Sequence, residues 1–179
     1  VLKRGDPRND PGGYRGVLVF RLAELHEGID GLADRIMQGD DNEAQIAGGD
    51  FGPLLAGDVD AHVTHSTSAV RLGLPSIELP DEMNLGNPAL AAWYRRVSYT
   101  NPHGQTFYGR PIAYGVTIPA TARDQAGAVT FIRHLVSPAG QATLGRHGFT
   151  GTPILVDGDA KAVPSDLQVY VSGHYTEAG

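Results

Sequence analysis

The sequence predicts an α/β fold in which a mixed, mainly parallel sheet is flanked by helices. Three observations carry that expectation. Strand-like apolar runs alternate with helical stripes along the chain, the pattern of strand–helix–strand units. Helix-start signals recur ahead of those stripes, at Asp10-Pro11, Asp124 and Ser137-Pro138. Gly (24) and Pro (12) fall between the periodic segments rather than in one linker, and hydrophobic residues make up 41%, enough for an ordinary core.

In chain order, the first strong element is a helix. Tyr14, Val17, Leu18, Leu22 and Leu25 recur at helical spacing, with Arg15, Arg21 and Glu24 off the stripe. Asp10 can cap it and Pro11 is tolerated in its first turn. Leu32 and Ile36 predict a shorter helix closed by Gly39, followed by a solvated loop at Asp40-Asp41-Asn42-Glu43. Asp50 can cap a brief helix holding Pro53. Strands are expected at Val59 to His65 and Leu74 to Leu79, and a helix from Asn87-Pro88 through Trp93 to Val97. Val97 to Thr100 and Thr106 to Ile118 read as strands around a turn at Asn101-Pro102-His103-Gly104. Ala128, Phe131, Ile132, Leu135 and Val136 form the apolar face of a helix from Asp124, and Ser137-Pro138 opens another that ends near His147-Gly148. Ile154 to Val156 and Leu167 to Val171 read as strands. Ligands of such folds bind at strand carboxyl ends against helix N-termini, which singles out the loops at Asp10 to Gly13 and Gly48 to Asp50.

Composition narrows the function. With no cysteine, disulfide staples, thiolate metal sites and a cysteine nucleophile are excluded. A net charge of −6 argues against nucleic acid. It does not argue as strongly against a small anion, because helix N-termini and backbone N–H groups act locally. No apolar run approaches the ~20 residues of a membrane span, and no signal-peptide core is present. The abrupt start at Val1-Leu2-Lys3-Arg4 suggests a chain cut from something longer.

Several blocks in order resemble one family. They are Asp6-Pro7 and Asp10-Pro11-Gly12-Gly13-Tyr14-Arg15, then a helix with Leu22-Ala23-Glu24-Leu25, then Gly57-Asp58-Val59-Asp60-Ala61. Ile77 to Gly86, Gly109 to Pro119 and the Phe131-to-Leu135 helix continue the series. From Asp6 to about Val156 the chain resembles the archaeal-type tungstate/molybdate-binding proteins of ABC importers. The resemblance implies a periplasmic-binding-protein fold of type II, with two α/β lobes hinged around the ligand. Residues 1–110 would be the second, ligand-closing lobe, residues 111–179 the hinge return with C-terminal helices and tail, and the N-terminal lobe would be largely absent.

It also implies a site. Backbone amides and two carboxylates hold the oxyanion, and the carboxylates can complete an oxygen shell around its metal, a hard centre suited to oxygen. Asp10 matches the first carboxylate. The second falls in the loop before Phe51, where Asp50 is the nearest acid and Gly48 the alternative equivalent. Gly12 stands where the family often has cysteine, and Gly12 and Gly13 would offer amides. His65 takes the place of a tyrosine that usually follows the Val59 strand. The expected partners are tungstate or molybdate and an importer permease. Neither a resident cofactor nor an enzymatic activity is implied. The protein is expected to be a periplasmic or extracellular monomer, a membrane tether in a longer parent being open.

Plainer explanations stand beside these. Asp10 and Asp50 could be helix caps alone, and Gly12 and Gly13 turn glycines alone, since no P-loop Lys-Ser/Thr follows. His62 and His65, three apart on a strand, point to opposite faces and chelate one ion poorly. A sensor lobe without a transporter, or a hydrolase using His65, Ser66 and an acid, are the competing functions.

Overall fold

The computed structural model describes residues 1–8, 10–38, 50–151 and 153–175. Gly39, the Asp40 to Glu43 loop and Gly48-Gly49 lie outside the described residues. The elements run β1 (Leu2–Lys3), α1 (Pro11–Glu27), α2 (Leu32–Gln38), α3 (Gly52–Ala56), β2 (Ala61–His62), α4 (Ser66–Leu72), α5 (Asp81–Asn84) and, after a 3-10 turn at Pro88–Leu90, α6 (Ala91–Tyr94). β3 (Ser98–Thr100), β4 (Thr106–Tyr108), α7 (Gln125–Val136), α8 (Pro138–Arg146) and β5 (Leu155–Val156) follow, then a 3-10 turn at Ala160–Ala162, α9 (Ser165–Gln168) and β6 (Gly173–His174).

The α1 helix organises the fold. The side chain of Asp10 accepts from Gly12 N–H, Pro11 sits in the first turn, and Gly28 closes the helix at φ 65° with its N–H on Glu24 O. These caps satisfy amide and carbonyl groups that a helix end leaves unpaired. The apolar stripe then does what its spacing predicts. Leu18 and Leu22 are buried with Leu85, Tyr94 and Val97, and Tyr14, Leu25, Trp93, Tyr99 and Ile112 pack around them. Each fully buried aliphatic side chain contributes about 1.5–3 kcal/mol. Polar ends in this core are paired: the Tyr94 hydroxyl donates to Asp81 O and accepts from Asn87 N–H, and Trp93 Nε1 donates to Glu82 O at 2.8 Å. The Arg21 guanidinium donates to Ser98 O and ties α1 to β3.

The sheet differs from expectation. Among the described residues there is no single mixed sheet but three two-stranded ones: β1–β2 parallel, β3–β4 antiparallel and β5–β6 parallel. An extended run becomes a strand only when a neighbour pairs with its N–H and C=O groups. Leu74 to Leu79 and residues 109–118 find no ladder, and Ile77 is 93% exposed. After the strand expected at Val59 to His65, an unforeseen helix α4 starts at Ser66 and stops at Gly73, φ 64°. One segment read as strand is helical in part. Leu167 lies in α9, where Pro164 presets the entry and Asp166 sits in the first turn, complementing the helix dipole.

Candidate functional site

β1 and β2 run parallel, with Leu2 opposite Ala61 and Lys3 opposite His62. The chain leaves both strands in the same direction, through Arg4 to Asp10 into α1 and through Val63 to His65 into α4. Two strand–helix turns therefore emerge side by side at the carboxyl end of one parallel ladder, where open α/β proteins place ligands.

The first turn is tightly built. Asp6 accepts from Arg8 N–H at 2.9 Å and from the Arg8 guanidinium at 2.7–3.1 Å, and its carbonyl accepts from Asp10 N–H at 2.9 Å. That hydrogen-bonded partnership holds the Arg8 guanidinium above its usual pKa. The backbone of Asp6 and Pro7 lies directly on Gly13, where a Cβ would collide with the Asp6 carbonyl, and a Cβ on Gly5 would collide with Asp10 Oδ2. Both glycines exist for close packing of the loop on the helix start. Gly13 is buried; Asp10 and Gly12 are half-buried, with Asp10 Oδ1 3.2 Å from Gly12 N.

His65 sits at the start of α4, half-buried, with no capping bond from its side chain. Burial pushes its pKa down, the positive charge of Arg15 pushes it further, and the Asp10 carboxylate opposes both. Asp10, Arg15 and His65 thus share one electrostatic neighbourhood. A second acid–imidazole pair lies alongside. Asp50 is exposed and accepts from Gly52 N–H at 2.9 Å, and it opposes the burial that lowers the His62 pKa. The His62 ring packs 4.7 Å from that of Phe51, and its Nδ1 is buried without a partner. Gly48 lies outside the described residues.

Two charged residues near these turns were not assigned from sequence. Arg15 stands inside the Asp10-to-Arg15 block, so its position was visible though its role was not. Arg4 gave no signal. It is 6% exposed, its Nε and Nη1 have no partner, and burial lowers its pKa against the pull of Asp6 and Tyr99. Ser66 Oγ donates to Gly148 O at 2.8 Å, a hydrogen bond that turns its proton away from any imidazole. Among the described residues no three His, Cys, Asp or Glu side chains cluster to hold a metal ion, and no helix is long and apolar enough to cross a membrane.

A family model described as bacterial extracellular solute-binding protein matches residues 2–150. The chain belongs to this family. Among relatives of this solute-binding protein, a putative ABC transporter molybdenum-binding protein of Haloferax volcanii is 36% identical over 151 residues, covering 83% of the chain and 47% of that protein. A molybdate/tungstate-binding protein of Pyrococcus abyssi is 29% identical over 158 residues, covering 76% and 46%. An uncharacterised solute-binding protein of Petrotoga mobilis is 29% identical over 175 residues, covering 94% and 54%. The chain spans about half the length of the curated relatives it matches.

Proposed function

We propose that these residues form one wall of the cleft in which an extracytoplasmic solute-binding protein captures tungstate or molybdate for an ABC importer permease. The observation that carries this is the start of α1 at the carboxyl end of the β1–β2 pair, with the Asp10 carboxylate, Arg15 and His65 around it. The helix dipole favours an anion there, and Arg15 adds a full positive charge. In this reading residues 1–110 close on the ligand, residues 111–179 return to the other half of the cleft, and the protein acts as a monomer without catalysis. The names of the two molybdenum- and tungstate-binding relatives support the choice of cargo.

A carboxylate beside a dianion is repelled unless one of its oxygens enters the metal's own shell. Asp10, with Asp50 as the second ligand, therefore favours a metalate over sulfate, while the Gly12 and Gly13 amides and His65 serve either. The test is calorimetric titration of wild type, Asp10→Ala and Asp50→Ala with tungstate, molybdate, sulfate and phosphate. Asp10→Ala is expected to lower the tungstate-to-sulfate affinity ratio by more than about tenfold, a loss of ~1.4 kcal/mol, and Asp50→Ala to lower it less. An unchanged ratio in Asp10→Ala would make Asp10 a helix cap only and end the metalate assignment.

A further inference from the structure

A buried cation lies between the two strand–helix turns. Arg4, the residue that leaves β1, is 6% exposed, and its Nε and Nη1 are buried without a hydrogen-bond partner. Its stem runs along α1 at Gly16, where a Cβ would stand 3.9 Å from Arg4 Cβ, 4.0 Å from Arg4 Cδ and 3.9 Å from Val63 Cγ1. Val63 leads from β2 towards His65, so Arg4 fills the space between α1 and the second turn. Its neighbour Gly5 lies against Asp10, whose Oδ2 a Cβ on Gly5 would strike. The arginine thus adjoins the Asp10 loop from the β1 side.

Two groups act on this charge, Asp6 and Tyr99. The Asp6 carboxylate is already held by the Arg8 guanidinium at 2.7–3.1 Å, and Tyr99 is a phenol. A guanidinium keeps its charge in protein surroundings, and a buried charge without a bonded partner is unfavourable. Departures of that kind concentrate at functional sites, where a bound ion supplies what the fold leaves out. We infer that Arg4 is a specificity-determining residue whose buried charge makes the site at the Asp10 loop select a dianion over a monoanion of the same shape, a role that rests on the oxyanion reading of that loop. Its attraction for an anion is proportional to the anion's charge and weakens slowly with distance in a low dielectric, so Arg4 acts without touching the ligand. Asp10 discriminates by the central atom, and Arg4 by the charge.

Tungstate and perrhenate test this directly, being tetrahedral tetraoxo anions of neighbouring metals, one doubly and one singly charged. The full chain and its Arg4→Met variant, whose methionine keeps an unbranched stem along Gly16, are titrated calorimetrically with both anions and with sulfate at low salt. Wild type is expected to favour tungstate over perrhenate more than tenfold. Arg4→Met is expected to shrink that ratio at least fivefold while changing the tungstate-to-sulfate ratio, a comparison of two dianions, less than threefold. Urea unfolding without anion gives a second readout: removing an unpaired buried charge should leave the midpoint of Arg4→Met equal to or above that of wild type. A lower midpoint, or failure of the variant to fold, would mean that Arg4 serves the fold itself, and overturns the inference. So does wild type binding perrhenate as tightly as tungstate, or an unchanged tungstate-to-perrhenate ratio in Arg4→Met. Those outcomes leave the oxyanion reading standing, because that reading is measured by the tungstate-to-sulfate ratio in Asp10→Ala. Absence of tungstate binding to wild type at millimolar concentration removes both.

Discussion

The α1 region and the α7–α8 region start their helices with the same chemistry and end with different burial. Asp10, Asp124 and Ser137 each accept a backbone N–H at the start of a helix. Yet among the described residues twelve of the fourteen buried apolar side chains lie at or before Val97, and only Ile132 and Leu167 lie later. Phe131, on a helix with a clear apolar stripe, stays 62% exposed. Local chemistry decides whether a helix forms, whereas burial depends on which other surfaces reach its stripe.

That contrast can be broken by truncating one side chain in each region. Leu22→Ala removes a wholly buried side chain from the α1 core and is expected to cost about 3 kcal/mol. Phe131→Ala is expected to stay within about 0.5 kcal/mol, as exposed positions do. Urea unfolding of the two variants measures both, and equal losses would mean that Phe131 is covered in solution.

Glycines sharpen the comparison. Gly13→Ala must move the Asp6 backbone, which a Cβ would strike, and is expected to destabilise by about 1–3 kcal/mol despite alanine's better helix propensity. Gly145, exposed in α8 with nothing near its missing Cβ, should instead gain up to ~1 kcal/mol as alanine. Thermal melts of the two variants should shift in opposite directions.

What was legible from the chain follows the same division. The boundaries of α1, α7 and α8 were readable because capping residues and a 3.6-residue stripe are local signals. The loop holding Asp10 was readable for the same reason, since its carboxylate accepts the Gly12 amide; Asp50 was expected to cap α3, but Phe51 takes the N-cap position and Asp50, one residue earlier, accepts from Gly52 N–H. Strand pairing was not readable. Residues 109–118 carry a strand's composition, but Tyr114 is 70% and Val116 51% exposed because no ladder forms beside them. The grouping of Asp10 with His65 came from the resemblance and not from periodicity, because it arises from the parallel pairing of β1 with β2, which places residues far apart in sequence side by side.

Capping offers a smaller effect that separates stability from function. Asp10→Ala and Asp124→Ala each remove a cap and should each cost about 1 kcal/mol. Only Asp10→Ala should also alter anion selectivity. A selectivity change of the same size in Asp124→Ala would show that it reports loss of folded protein rather than of a ligand.

The smallest effect expected is a pH dependence. Burial is the leading cause that holds His62 and His65 below the ordinary imidazole value, so the folded state prefers them neutral while the unfolded chain takes up protons from about pH 6.5 downward. Their contribution is therefore complete above that value and is lost as the pH falls through the lowered folded values. Between pH 7.5 and 5.5 the double variant His62→Gln/His65→Gln should lose less melting temperature than wild type. The difference should be about 2 °C or less, where 1 kcal/mol corresponds to about 2–4 °C in a chain of this size. Asp10→Asn gives the sharper measurement. Asparagine still caps α1, but it lacks the carboxylate charge that opposes burial and Arg15 at His65. The His65 value then falls further, and acid sensitivity should exceed that of wild type. Adding His65→Gln to Asp10→Asn should remove that excess. If Asp10→Asn leaves acid sensitivity unchanged, the carboxylate does not act on His65, and the two strand–helix turns do not form one site.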